Sequence, residues 1–135
     1  MMSPVQRPIS GPTLMLTLED AMQIVREQLG SASRIARTLV KNGPLRATLI
    51  GLSPGGALTP HSTEGPITVQ VLEGEIEFEA DGKTWSLPTG SLLALGAGVV
   101  HSARSAFGGI FLLTVAAPVR DEGDPVAIRR SATEG

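Results

Sequence analysis

The 135-residue chain contains no cysteine and no tyrosine. The first absence excludes disulfides, thiolate chemistry and cysteine-ligated zinc. With one tryptophan, Trp85, and three phenylalanines, any core must be largely aliphatic. Positive charge is not in excess: 11 basic residues stand against 13 acidic ones, for a net charge of −2. No basic face is therefore expected, and no nucleic-acid partner, since phosphate binding needs clustered Lys and Arg. No run of about 18 apolar residues occurs, so no membrane span is expected. The opening "MMSPVQRPISGPTLMLTLED" lacks a basic region followed by an apolar block, and a cytoplasmic location is the default expectation. "SPGGAL" lacks the strand-then-helix context of a phosphate loop and reads as a turn.

Glycine and proline are plentiful, at 16 and 10 residues, and point to many short elements joined by tight turns. The length suits one domain. Residues 1–13 read as an irregular arm. Thr17 is placed to open a helix, with its hydroxyl accepting from the backbone near Asp20 and with Glu19 and Asp20 in the first turn. Leu18, Ala21, Met22, Val25 and Leu29 recur at helical spacing, and Gly30 is placed to end the run. The arm and helix occupy residues 1–32.

From Ser33 the period changes to two. "RIARTLVKN" alternates, "GP" turns the chain, and "LRATLIGL" runs back. "ITVQVL", "EIEFEA", "KTWSL", "SLLAL", "HSARSA" and "IFLLTVA" follow, each short and bounded by turn residues. In "EIEFEA", Ile76 and Phe78 face in while Glu75, Glu77 and Glu79 face out. Asp81-Gly82 is a hairpin signal. About eight short strands at this spacing predict an all-β antiparallel sandwich or barrel with one N-terminal α-helix. The barrel covers residues 33–118, and residues 119–135, of mixed charge, read as a mobile tail. That tail holds no helix-turn-helix pattern.

The chain has only two histidines, His61 and His101, forty residues apart. Each is expected at the beginning of a strand, after a glycine-rich turn ("GLSPGGALTPH" and "LGAGVVH"). In a closed barrel two such strands bring their side chains to one mouth. Ser62, Ser102 and Ser105 flank them with no acid placed to make a nucleophilic triad. Arg104 reads as an outward charge and Trp85 as core.

These residues resemble the cupin superfamily, the small jelly-roll or double-stranded β-helix barrels. In the first cupin motif, G-x5-H-x-H-x3,4-E-x6-G, Gly55 and His61 match, and Gly74 closes it within "VLEGE". In the second, G-x5-P-x-G-x2-H-x3-N, Gly90, Gly98 and His101 match, while Gly96 and Ser105 replace the proline and asparagine. The likeness runs over residues 45–118.

The resemblance implies a metal at three histidines and a glutamate, of which this chain keeps His61 and His101. Thr63 stands for the second histidine and Ile67 for the glutamate. Two imidazoles alone make a weak site. Glu64, in the "STEGP" loop, is the nearest substitute carboxylate. The expected ligand-binding residues are therefore His61, Thr63, Ile67, Val69 and His101, with Val71 on the same apolar wall. The expected function is binding of a small molecule, with a weakly held divalent metal (Zn, Ni, Fe or Mn) or none. The alternative is a metal-dependent cupin enzyme (oxygenase, isomerase or lyase) with a reduced ligand set. A homodimer is expected, because open sheet edges of apolar strands need cover.

Overall fold

The structure, a computed structural model, describes residues 8–117. The order is α1 (Leu18–Leu29), β1 (Arg34–Asn42), β2 (Leu45–Leu52), β3 (Ala57–His61), β4 (Ile67–Ala80), β5 (Lys83–Pro88), β6 (Leu92–Leu95), β7 (His101–Arg104) and β8 (Gly109–Ala116). Every strand pair is antiparallel. The strands run β1-β2-β8-β4-β7-β3, with β5 and β6 also on β4. The first half of β4 pairs with β8 and β6, and its second half with β5 and β7. One long strand thus belongs to both walls of a jelly-roll barrel. The expected residues 119–135 lie outside the described part.

The sequence reads "ITVQVL" and "EIEFEA" as two strands, and the structure joins them. A register shift against β8 falls between Val71 and Glu73. The extra residue reverses the alternation. Before it Ile67, Val69 and Val71 are buried, and after it Ile76, Phe78 and Ala80. Gly74 follows with φ +74°, and a Cβ there would sit 2.4 Å from the Gly108 carbonyl oxygen. Only glycine lets β4 bend this closely past β8. The Asp81-Gly82 hairpin forms as expected, with φ values of 51° and 72°.

Two hydrophobic clusters result. The barrel interior holds Ile50, Leu52, Ile67, Val69, Val71, Ile76, Phe78, Ala103 and Phe111, with half-buried Trp85 packed against them. The second lies outside the sheet, where α1 sets Ala21, Met22 and Val25 against Leu39, Leu49 and Ile110. Each fully buried Val or Leu here contributes roughly 1.5–3 kcal/mol. Gly51 makes room for the helix, since a Cβ there would lie 2.5 Å from Val25 Cγ1.

Two expectations at the N-terminal side change. Thr17 occupies the N-cap position, but its side chain makes no capping bond. Its backbone carbonyl instead accepts from the Ala21 N–H at 3.3 Å. The arm is not irregular throughout. Ile9 forms a parallel bridge to Val40, donating to Leu39 O at 2.9 Å and accepting from Lys41 N–H at 3.1 Å. Asn42 brackets Gly11 with both ends of its amide. The arm therefore covers part of the β1 edge, a place where unpaired backbone groups invite association.

Candidate functional site

β3 and β7 are neighbours, and the register sets His61 opposite His101. His101 opens β7, as expected from sequence. His61 instead closes β3, because in an antiparallel pair the end of one strand meets the start of the other. The ring centroids lie 4.4 Å apart with planes at 62°, an edge-to-face contact. Each ring is tethered in the same way. Nδ1 of His61 lies 2.8 Å from Thr59 O, and Nδ1 of His101 lies 2.9 Å from Val99 O. A carbonyl oxygen only accepts, so in the neutral rings each Nδ1 carries the hydrogen and each Nε2 keeps its lone pair.

The two histidines differ in exposure. His101 is 4% exposed, whereas His61 is open to solvent. Phe78 stacks on His101 with centroids 5.6 Å apart and planes within 14°. Burial pushes the His101 pKa down, and the nearby His61 lowers it further against the opposing Val99 carbonyl. His101 is therefore a neutral imidazole at pH 7. Beside the pair lies a cavity of about 10 Å³, walled by Ile50, Leu58, Phe78, Phe111 and Leu113 as well as both histidines. That is room for about one water-sized group.

The other expected site residues lie elsewhere. Thr63 turns its hydroxyl to Gly65 O at 2.9 Å, and its carbonyl accepts from Gly98 N–H at 2.9 Å, so it fastens its loop to the turn before β7. Ile67 and Val69, 3% and 0% exposed, are packed in the interior core and do not wall the cavity. Placing them on one wall with His61 assumed one continuous strand. The 62–66 loop breaks it, and Ile67 begins β4 among β6 and β8 rather than beside β7. Glu64 is exposed on that loop. Among the described residues no three His, Asp or Glu side chains gather where they could hold a metal ion.

Ser105 is buried and donates to Glu75 O at 2.7 Å, a structural bond. Arg104 pairs with Glu77 at 2.6 Å on the outer face. Sequence reading missed Leu58, Ile50 and Phe78 as site walls. Phe78 was legible as inward-facing, but its place beside His101 needs the Ala80–His101 register.

A small barrel of two antiparallel walls with paired histidines at one end is the double-stranded β-helix of the cupins. The cupin domain family is matched by residues 48–115, just over half the chain, and the chain belongs to that family. A conserved protein of unknown function from Streptococcus pyogenes is similar in structure at TM-score 0.60 and 29% identity, over 64% of this chain and 76% of that one. An RmlC-like cupin from Shewanella frigidimarina gives 0.61 and 26%, over 68% and 82%. Another from Desulfovibrio desulfuricans gives 0.60 and 26%, over 66% and 87%. No curated protein sequence matches the chain. No helix among the described residues is long and apolar enough to cross a membrane.

Proposed function

We propose that this cupin binds a small molecule through one hydrogen-bond donor, a hydroxyl or an N–H, seated between Nε2 of His61 and Nε2 of His101. The observation that carries this reading is the double tether: both Nδ1 atoms are committed to backbone carbonyls, which leaves the Nε2 acceptors of two touching rings that both line a small apolar cavity. Ring nitrogens that keep their lone pairs accept, and so select a donor. The cavity volume admits one functional group, so the body of the ligand rests outside it.

The donor set does not fit a resident catalytic metal. Such sites use at least three protein ligands, and here Thr63 is hydrogen-bonded within its loop and Ile67 is core. A divalent ion is held weakly, by two imidazoles and water. One observation favours the alternative of a reduced-ligand metalloenzyme: metal-binding histidines are commonly oriented by a backbone carbonyl on the other ring nitrogen.

The test is a nitrogen-detected NMR titration of the imidazoles with 4-hydroxybutyramide, a neutral alcohol, beside a calorimetric zinc titration of untagged protein. Saturable shifts of both Nε2 signals, absent in His101→Ala, support donor binding. Signals that stay fixed in the amide while zinc binds stoichiometrically and with sub-micromolar affinity would establish the metal reading instead.

A further inference from the structure

The cavity beside the histidines is too small for a whole ligand, so the surface around it decides what kind of molecule can lie there. One side of that surface is the β1–β2 hairpin. On β2, Leu49 packs under the helix while Ile50 and Leu52 belong to the barrel interior. The same alternation puts Arg46 and Thr48 on the barrel side. On β1 a register shift falls between Thr38 and Val40. Thr38 pairs with Thr48, their hydroxyl oxygens 3.3 Å apart, and Val40 packs on the helix side. Lys41, the next residue, therefore faces the barrel side, directly opposite Arg46.

Two like charges at directly opposed positions of a strand pair destabilise it. No acid among the described residues forms an ion pair with either. Both residues are exposed, and the ion pairs of Arg26 and Arg104 involve neither of them. The pair also lies near the wall of the cavity. Arg46 is opposite Val115, and Thr48 is opposite Leu113, which walls the cavity. Diagonal neighbours of this kind lie about 7–8 Å apart, within the span of an arginine side chain.

We propose that Lys41 and Arg46 bind the anionic end of the ligand, a carboxylate or a phosphate, with the Thr38 and Thr48 hydroxyls between them and the histidines. This rests on the reading that the histidine pair holds the inner end. The two ends are chemically opposite: acceptors only at the histidines, donors and positive charge on the hairpin. The ligand class is accordingly a small hydroxy acid, or an alcohol carrying a phosphate. Guanidinium and ammonium groups are suited to either anion.

The experiment compares 4-hydroxybutyrate with 4-hydroxybutyramide, which share a hydroxyl and differ in charge, on the full chain and on Lys41→Gln/Arg46→Gln. Inorganic phosphate is added as a competitor to separate the two anion types. The acid should bind about tenfold more tightly than the amide, as expected for a charge-assisted contact. That preference should vanish in the double variant and shrink with added salt. Competition by phosphate at lower concentration than by acetate would assign the phosphate class, and the reverse order the carboxylate class. Equal binding of acid and amide, or a preference for the acid that survives both substitutions, overturns the hairpin site while leaving the histidine reading intact. If neither probe shifts the imidazole signals, it is the histidine reading that fails.

Discussion

The barrel interior and the helix-covered outer face are built by the same strands, yet only one of them is joined to the candidate site. Ile50 and Leu52 of β2 enter the interior cluster, while Leu49 from the same strand enters the cluster under α1. Phe78 belongs to the interior and stacks directly on His101. No residue of the helix cluster lines the cavity beside the histidines. Stability and site geometry are therefore coupled on one side of the sheet and separable on the other.

The largest effect should come from Phe78→Ala. Removing a fully buried phenylalanine typically costs about 3–5 kcal/mol, and here it also takes away the face on which His101 rests. Urea unfolding should show the loss, and the imidazole signals of His101 should move in the variant that remains folded. An unchanged His101 environment in that variant would break the coupling.

Gly51→Ala probes the other face. A new methyl would meet Val25 Cγ1 at 2.5 Å and Leu29 Cδ1 at 3.0 Å, so the helix must shift outward. Overpacking of this kind costs about 1–3 kcal/mol. The expected result is a lower midpoint in urea with both histidine signals unmoved. Movement of the histidines would show that the two clusters are not independent.

Arg26→Gln tests how the helix is fastened at its side. Nε and one terminal nitrogen of Arg26 donate to the same oxygen of Glu73, at 2.9 and 2.7 Å, and the other terminal nitrogen reaches Glu19 and Gln23, each at 3.0 Å. Glu73 and then Glu19 hold the guanidinium pKa above its ordinary value. The network is partly exposed and screened by solvent, so its loss should cost no more than about 1 kcal/mol. A midpoint lowered further than by Gly51→Ala would make this clamp, rather than apolar packing, the main tie between helix and barrel.

The same contrast explains what could be read without coordinates. β1 and β2 were legible because both alternate and a Gly-Pro turn separates them. β3 was not, because "ALTPH" contains a proline and is mostly exposed, which leaves no alternation to detect. Its absence from the reading displaced His61 from the end of one strand to the start of the next. β4 looked like two strands because Gly74 interrupts its pattern, while the pairing with β8 that joins the halves is distant in sequence. The histidine pair followed from motif spacing. The cavity around it did not, because its walls come from β2, β3, β4, β7 and β8 and depend on register. Thr63 and Ile67 were assigned by their places in the motif, which does not reveal the loop at 62–66 that separates β3 from β4.

The smallest expected effect is a pH dependence confined to the interior side. His101 is buried and its pKa is lowered, first by burial. In the unfolded chain a histidine titrates near about 6.5. Above that value both states hold a neutral ring, and His101 contributes no pH dependence. As the pH falls through it, the unfolded chain takes up a proton that the folded ring refuses, so the unfolded state binds more protons and stability declines. The decline ends once the pH passes below the folded pKa, where both states are protonated. Glu77, held below the ordinary carboxylate value by Arg104, adds its own loss only in the more acidic range. Urea midpoints measured between pH 8 and pH 5 should therefore stay level and then fall for the native chain, and fall less for His101→Gln. Gly51→Ala should lower every midpoint while keeping the native pH profile, since His101, the one ionisable residue among the described residues that is buried as a whole, lies on the other side. Parallel profiles for the native chain and His101→Gln would mean that the buried ring accepts a proton as readily as an exposed one, and the acceptor role proposed for His101 would lose its basis.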